Sequence, residues 1–300
     1  MNFPITATFI DEITYDITPQ NWKDKDWVKD IKNMQNVGID TLVIMRGVFY
    51  DKILYPSKHF LDKKSDYDDF IELVLSEADK RNLDVYVGLY ISNLTWNDGD
   101  YQTEIDENEY YVDEILNKYN HHKSFIGWYL PHEVGHDNYN FVPVTIGLID
   151  ILKRRSPEKK IFMSPFYRDK KAGFPEPTLT PEETYEEWDK MFAVFGKDID
   201  CCAFQDGTCT LNNLEKYMIV TKKVCDKYNI EMWSNAETFK RVEGFPPIDF
   251  ETLHKKLEIA QKYCKKIITF EFSHFLSPDS MYLDAHKLNK EYVNFYKNKR

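Results

Sequence analysis

The stretch FIGWYLPHEVGH, residues 125–136, carries the pattern that decides the fold. It opens with six apolar residues, FIGWYL, which stop at Pro131 and are followed by the polar pair His132 and Glu133. A short, continuous apolar run that ends at a proline is typical of a strand buried on both faces. The stretch therefore predicts a parallel strand with polar side chains at its carboxyl end.

Seven further runs of this kind occur along the chain, each followed by a polar loop and a segment of helical period. They are ITATFI (5–10), TLVIM (41–45), DVYVGLYI (84–91), KIFMSPF (160–166), IDCCAF (199–204), IEMWSNA (230–236) and KIITFEF (266–272). Helical segments are predicted near 26–38, 66–82, 107–119, 142–155, 181–196, 212–228, 250–264 and 285–298.

Eight strand–helix units in 300 residues predict an α/β protein, a (β/α)8 TIM barrel formed by one domain over residues 1–300. A doubly wound open sheet is the alternative. The barrel is favoured because the even spacing shows no break in strand order and the first βα turn lacks a Gly-rich phosphate loop. No sequence repeat or interdomain linker is visible.

Charge and composition limit the classes of molecule that the protein is expected to bind. The net charge of -11 argues against a nucleic acid or an anionic membrane as partner, since both need a basic surface. The 20 Tyr, 20 Phe and 6 Trp suit either a large core or a cleft that stacks on ring-shaped ligands. A small neutral ligand stays compatible with this composition, and the sequence does not indicate an oligomeric state.

The cellular location is predicted from what the chain contains. No apolar run approaches the roughly 18 residues of a membrane span, and the start MNFPITATFIDE lacks a signal-peptide pattern. The 5 cysteines have no paired metal-ligand spacing and are interpreted as reduced core thiols. We therefore expect a cytoplasmic protein, with secretion of a longer precursor as the alternative.

Polar residues follow every predicted strand, at the barrel face where TIM barrels carry their chemistry. In strand order they are Asp11 and Glu12; Arg46; Tyr90 and Asn93; His132 and Glu133; Tyr167; Gln205 and Asp206; Asn235 and Glu237; Glu271 and His274. Acids at strand ends can simply be solvated. Glu237 and Glu271 differ, because they lie within or against apolar runs, where a charged side chain needs a partner or a function.

Residues 132–136, HEVGH, also match the H-E-x-x-H pattern of zinc metalloproteases. That pattern binds zinc only when both histidines lie on one face of a helix. Pro131, Gly135 and the loop-like DNYNFVP that follows disfavour a helix here. We therefore expect no metal and no other cofactor, and we expect His132 to orient Glu133 or to contact a ligand. A metal-dependent hydrolase remains the alternative.

Four segments resemble a known family: GWYLPHE (127–133), FQDG (204–207), WSNAETF (233–239) and FEFSHFLSP (270–278). They resemble the domain-of-unknown-function 4434 family, TIM-barrel proteins regarded as relatives of glycoside hydrolases. More distantly, the acids after the fourth and seventh strands are similar to those of the clan A retaining glycosidases.

The clan A resemblance implies a role for three residues. It makes Glu133 the acid/base, Glu237 the nucleophile and Arg46 the arginine that holds the nucleophile. The chain also departs from clan A, which usually has Asn where this chain has His132. Many clan A members carry a tryptophan at the eighth strand, where this chain offers Glu271 and His274, so Glu271 stays a rival nucleophile.

We therefore predict a glycoside hydrolase that acts on an oligo- or polysaccharide through two glutamates, with retention favoured over inversion. A carboxylate separation of roughly 5 Å gives retention and one of roughly 6.5 to 9.5 Å gives inversion. Aromatic side chains expected to stack on the sugar include Tyr50, Tyr90, Trp96, Tyr167, Trp233 and Phe239. Trp96 is the best surface candidate because it lies in the polar loop SNLTWNDGD, whereas Trp128 lies within a strand and is expected to be structural. A barrel that binds carbohydrate without cleaving it is the alternative.

Overall fold

A computed structural model describes residues 3–14, 17–92, 96, 99–137, 140–169 and 177–298. Eight parallel strands form a closed barrel, in which the first strand of the barrel pairs with both the second and the eighth. The strands are β1 (Ala7–Ile10), β2 (Thr41–Ile44), β3 (Asp84–Gly88), β4 (Phe125–Leu130), β5 (Lys160–Met163), β6 (Cys201–Gln205), β7 (Glu231–Asn235) and β8 (Lys266–Thr269). The predicted TIM barrel is confirmed, and the open sheet is excluded by the β1–β8 pairing.

Helices connect the strands and surround the barrel. They are α1 (Asp24–Asn36), α2 (Phe70–Arg81), α3 (Tyr101–Tyr119), α4 (Phe141–Arg155), α5 (Pro181–Phe195), α6 (Leu211–Lys227), α7 (Phe250–Tyr263), α8 (Phe272–Phe275) and α9 (Leu283–Asn298). At the start of α5, Thr180 is the N-cap, Pro181 occupies the first helical position, and Thr180 and Glu183 form a capping box.

Two features of the fold were not predicted. A small antiparallel hairpin, Val48–Phe49 with Lys52–Ile53, follows β2. The apolar run 266–272 was predicted to be one strand, but β8 ends at Thr269 and the four-residue helix α8 begins at Phe272. This early exit from the sheet changes the position of Glu271, as described below.

The barrel interior is filled with side chains. Ala7, Phe9, Val43, Met45, Tyr86, Tyr129, Phe162, Cys201, Ala203, Trp233 and Ile268 form this inner core, as alternate residues of each strand point inward. A second, larger core lies between the strands and the helices. Because the interior is packed, a ligand can reach the barrel only at its ends.

No helix among the described residues is long and apolar enough to cross a membrane.

Candidate active site

A cavity of about 100 Å³ lies at the carboxyl-terminal mouth of the barrel. Its lining follows β1, β2, β4, β6, β7 and β8 and consists of Asp11, Thr14, Ile17, Met45, Arg46, Glu133, Gln205, Glu237, Phe239, Arg241, Phe245 and Phe270. The lining combines charged and polar side chains with an apolar cluster of Ile17, Phe239, Phe245 and Phe270. Five residues predicted from strand ends meet here: Asp11, Arg46, Glu133, Gln205 and Glu237.

Glu133 lies three residues beyond β4, and neutral groups hold its carboxylate. The Tyr129 hydroxyl, on β4 itself, donates to Glu133 Oε1 at 2.7 Å, and the Gln205 side chain also hydrogen-bonds to Glu133. Burial raises the pKa of Glu133, while the charge of Arg46 and these hydrogen bonds oppose the rise and the nearby Glu237 adds to it. The environment therefore favours a glutamate that carries a proton at a higher pH than usual.

Glu237 lies two residues beyond β7 and is only 1% exposed. Arg241 forms a bidentate ion pair with it, from Nε to Oε2 at 3.1 Å and from Nη2 to Oε1 at 2.5 Å. Burial raises the pKa of Glu237, and the guanidinium of Arg241 opposes that rise. The ion pair favours the ionised carboxylate, which is the form that a nucleophile needs.

The loop after β6 contacts Glu237 through Asp206 and Gly207. Asp206 Oδ1 accepts the Glu237 backbone N–H at 3.0 Å and the Lys256 ammonium at 2.7 Å, and that ammonium also donates to the Glu237 carbonyl at 2.9 Å. Gly207 lies so close that a Cβ added there would be 1.6 Å from Glu237 Oε2. Asp206, predicted to bind ligand, is fully buried and instead positions Glu237.

The expected contact of Arg46 with Glu237 needs correction. Arg46 donates to Thr14 Oγ1 at 3.0 Å, packs over the Phe49 ring and acts electrostatically on Glu133. The guanidinium that contacts Glu237 comes from Arg241, because the loop after β7 folds back over its own glutamate. Arg46 still lines the cavity, as predicted.

Hydrogen bonds also hold Asp11, Gln205 and Asn235, the other polar residues predicted at the mouth. Asp11 accepts the backbone N–H groups of Ile13 and Thr14, each at 3.2 Å, and so shapes the loop after β1. Gln205 donates to the Ser164 carbonyl at 2.7 Å, and Asn235 donates to Ser164 Oγ at 3.2 Å. Asn235 does not line the cavity and instead ties β7 to the loop after β5.

Glu271 was expected in the cavity and does not line it. It is fully buried and hydrogen-bonds through Oε1 to Nδ1 of His274, whose Nε2 lies 3.1 Å from the Thr18 carbonyl. Burial lowers the pKa of His274 to about 4. Phe270 takes the cavity position instead, because the chain leaves the sheet after Thr269.

Glu12 is a third predicted residue that is buried and does not line the cavity. Its carboxylate accepts the Gln20 N–H and the Tyr67 hydroxyl, both at 3.1 Å, and burial raises its pKa to about 7. Glu12, Glu271 and His274 therefore do not reach the cavity lining, contrary to their prediction as catalytic or ligand-binding groups.

The HEVGH segment forms no helix. His132 is buried, and its Nε2 lies 2.7 Å from Glu104 Oε1, which fixes the loop after β4 to α3. Trp96 was expected at the surface, but it is only 3% exposed and packs edge-on against the His132 ring. Neither residue lines the cavity.

The other predicted ligand contacts lie away from the cavity. Tyr90 stacks on Phe60, and the buried Tyr167 stacks on Phe204 behind the strands. Trp233 lines a separate cleft of about 540 Å³ that includes the first residues of β5, β6 and β7, at the amino-terminal end of the barrel. Trp128 is buried and structural, as predicted. Asn93 lies outside the described residues.

Sequence reasoning missed three groups that shape the site. Tyr129 reads as an ordinary strand residue, Arg241 as a loop cation, and Phe245 as a loop aromatic. The spacing of Glu237 and Arg241 by four residues is a helical signal, but here it occurs in a loop and therefore gave no indication of the ion pair.

A family model described as Domain of unknown function (DUF4434) matches residues 5–282. The chain belongs to the DUF4434 family. This DUF4434 chain is similar to a crystal structure from Bacteroides thetaiotaomicron VPI-5482, described as a candidate alpha-L-fucosidase, with a TM-score of 0.93 and 36% identity over 99% of this chain and 94% of that one. No curated protein matches the sequence.

More distant structures share the fold of this DUF4434 chain. An endo-1,4-beta-D-mannanase from Thermotoga petrophila RKU-1 aligns at a TM-score of 0.64 with 12% identity, over 98% of this chain and all (100%) of that one. A psychrophilic glycoside hydrolase family 10 endo-beta-1,4-xylanase aligns at 0.61 with 11% identity, over 99% and 97% of the two chains. These two enzymes share the barrel fold with this chain.

Proposed function

We propose that the protein is a glycoside hydrolase in which Glu133 is the acid/base and Glu237 the nucleophile. The observation that carries this proposal is the difference between the two glutamates of the cavity. Glu237 forms a bidentate ion pair with Arg241, whereas the hydrogen bonds to Glu133 come from the neutral side chains of Tyr129 and Gln205.

This difference indicates which of the two carboxylates carries a proton. Two carboxylates that share one cavity do not both ionise readily, so the pair holds a proton on the group that loses least by being neutral. Protonation of Glu237 would sacrifice its ion pair with Arg241. Glu133 therefore holds the proton and acts as the acid, and Glu237 stays ionised.

The reaction then takes two steps. Glu133 gives its proton to the glycosidic oxygen while a Glu237 oxygen attacks the anomeric carbon, which releases the alcohol and leaves a glycosyl ester on Glu237. Glu133, now ionised, removes a proton from a water molecule that attacks the anomeric carbon and breaks the ester bond. Two inversions at the same carbon give net retention.

The cavity also suggests the size of the sugar unit. At about 100 Å³ it is well below the roughly 300 Å³ at which pockets for drug-sized ligands begin, so it suits one terminal sugar ring. Phe239, Phe245 and Phe270 offer an apolar wall to one face of that ring. An α-L-fucoside is the first substrate to test, because the Bacteroides structure is described as a candidate alpha-L-fucosidase.

The test is a screen of 4-nitrophenyl glycosides, including the α-L-fucoside, with wild type, Glu133→Gln and Glu237→Gln. Glu243→Gln is the matched control, because Glu243 is an exposed carboxylate in the same loop as Arg241. We expect cleavage by wild type and the control, and loss on the order of 10³-fold or more in Glu237→Gln. Saccharide binding without turnover in wild type would instead indicate a carbohydrate-binding barrel.

A further inference from the structure

Two histidines and two carboxylates cluster at the opposite end of β4 from Glu133. His121 and His122 belong to the turn between α3 and β4, while Glu72 and Asp79 lie two turns apart on α2. His122 is only 6% exposed, whereas His121 is exposed. Potential ligand atoms of Glu72, His121 and His122 all lie within 4.8 Å of one another.

Hydrogen bonds fix the two carboxylates as acceptors. Asp79 accepts the Ser124 N–H at 2.8 Å, and Glu72 accepts the Ser76 hydroxyl at 2.7 Å. The His122 ring lies between them, with Nδ1 2.8 Å from Asp79 and Nε2 3.3 Å from Glu72. A neutral imidazole has one N–H, so when Nδ1 donates to Asp79 the lone pair of Nε2 faces a carboxylate oxygen.

The spacing of His122 Nε2 and Glu72 Oε2 matches that of two ligands on one cation. With bonds of about 2.0 to 2.1 Å, two ligands of a tetrahedral zinc ion lie roughly 3.3 to 3.4 Å apart, which matches the 3.3 Å between His122 Nε2 and Glu72 Oε2. A metal-ligating histidine usually donates its other ring N–H to a carboxylate, as His122 does to Asp79. The exposed His121 ring, whose centroid lies 4.1 Å from that of the His122 ring, is close enough to offer a third ligand.

We propose that Glu72, His121 and His122 form a binding site for a divalent transition-metal ion, zinc above all, with Asp79 positioning His122. Two imidazoles and one carboxylate are a zinc ligand set, and a water molecule completes the tetrahedron. The ion links α2 to the turn that leads into β4. Since six strand residues at roughly 3.3 Å each separate this turn from the barrel mouth, the site is structural and independent of the proposed hydrolase chemistry.

The test measures zinc binding to the tag-free full chain after treatment with a chelator, by calorimetry and by the absorption of bound Co²⁺. Wild type should bind one equivalent. Asp79→Asn should weaken zinc binding by about 10- to 100-fold, and His121→Ala and Glu72→Gln, which remove ligands, should weaken it further. His59→Ala is the matched control, because His59 pairs with Glu107 at 2.8 Å and, among the described residues, belongs to no group of three potential metal ligands; it should bind like wild type.

Thermal unfolding gives a second readout. Saturating zinc should raise the Tm of wild type and His59→Ala and leave that of His121→Ala unchanged, since binding to the folded state alone stabilises it. His121 is exposed, so its substitution should leave the metal-free Tm near that of wild type. The proposal is overturned if wild type binds zinc no more tightly than His121→Ala, or if zinc binds equally to all variants.

Discussion

Replacing Gly207 by alanine should displace the carboxylate of Glu237. The added Cβ would lie 1.6 Å from Oε2 and 2.3 Å from Cδ, whereas ordinary van der Waals contact begins at 3.4 Å. The carboxylate must therefore shift by roughly 1.8 Å, the difference between those distances. A misplacement of 1 Å at a reacting centre already costs about 10²-fold, so we expect kcat/KM to fall by at least about 100-fold, or about 2.7 kcal/mol.

The assay is kcat/KM on an aryl glycoside that wild type cleaves, with Tm measured on the same samples. Gly99→Ala is the control, since no atom lies within 4 Å of its added Cβ and only its φ of +103° is unfavourable. It should lower Tm slightly and leave kcat/KM unchanged. A Gly207→Ala protein with wild-type kcat/KM would refute the placement of Glu237 at the reacting centre.

Three further predictions concern charge and protonation. Tyr129→Phe removes a donor to the Glu133 carboxylate and should raise the pKa of Glu133, which moves the alkaline limb of the kcat/KM profile up by about one pH unit; an unmoved limb would argue against Glu133 as the acid. Arg241→Gln removes the ion pair of Glu237 and should raise its pKa, so that kcat/KM falls and the acid limb moves to higher pH in the same profiles. Burial raises the pKa of Asp30 to about 7, so the folded protein holds the Asp30 carboxyl proton more tightly than the unfolded chain does. The free energy of unfolding should therefore fall by about 3 to 4 kcal/mol between pH 4 and pH 7, relative to that of Asp30→Asn. Urea titrations of both proteins at several pH values measure this difference.

The strands were predictable from sequence because strands buried on both faces leave a continuous apolar pattern. Each of the eight runs overlaps a barrel strand, although KIFMSPF continues beyond β5 towards Pro165, which has no N–H to donate to a ladder. The end of β8 was not predictable. The segment Thr269–Phe272 alternates polar residues with phenylalanines, as a strand can, yet the chain leaves the sheet there. Phe270 therefore reaches the cavity and Glu271 turns toward His274.

The site was predicted in part. The position of a residue directly after a strand predicts that it lies at the barrel mouth, but it does not predict tertiary contacts or the conformation of the loops. Glu133, Glu237 and Gln205 follow this rule directly. Trp96 does not, since a tertiary contact with His132 buries a residue whose neighbours in sequence are polar. Arg241 was missed because the loop after β7 folds back over Glu237, and the periodicity of a sequence does not predict the conformation of a loop.

The role of Glu133 and Glu237 is tested most directly by azide rescue of Glu133→Ala on an activated aryl glycoside. Such a leaving group needs no proton, so Glu237 should still form the glycosyl ester, which then accumulates because no general base activates water. Azide attacks without a base, and it should restore turnover and give a glycosyl azide of retained configuration by NMR. Absence of rescue, or an azide of inverted configuration, would contradict the assignment of Glu133 as acid/base and Glu237 as nucleophile.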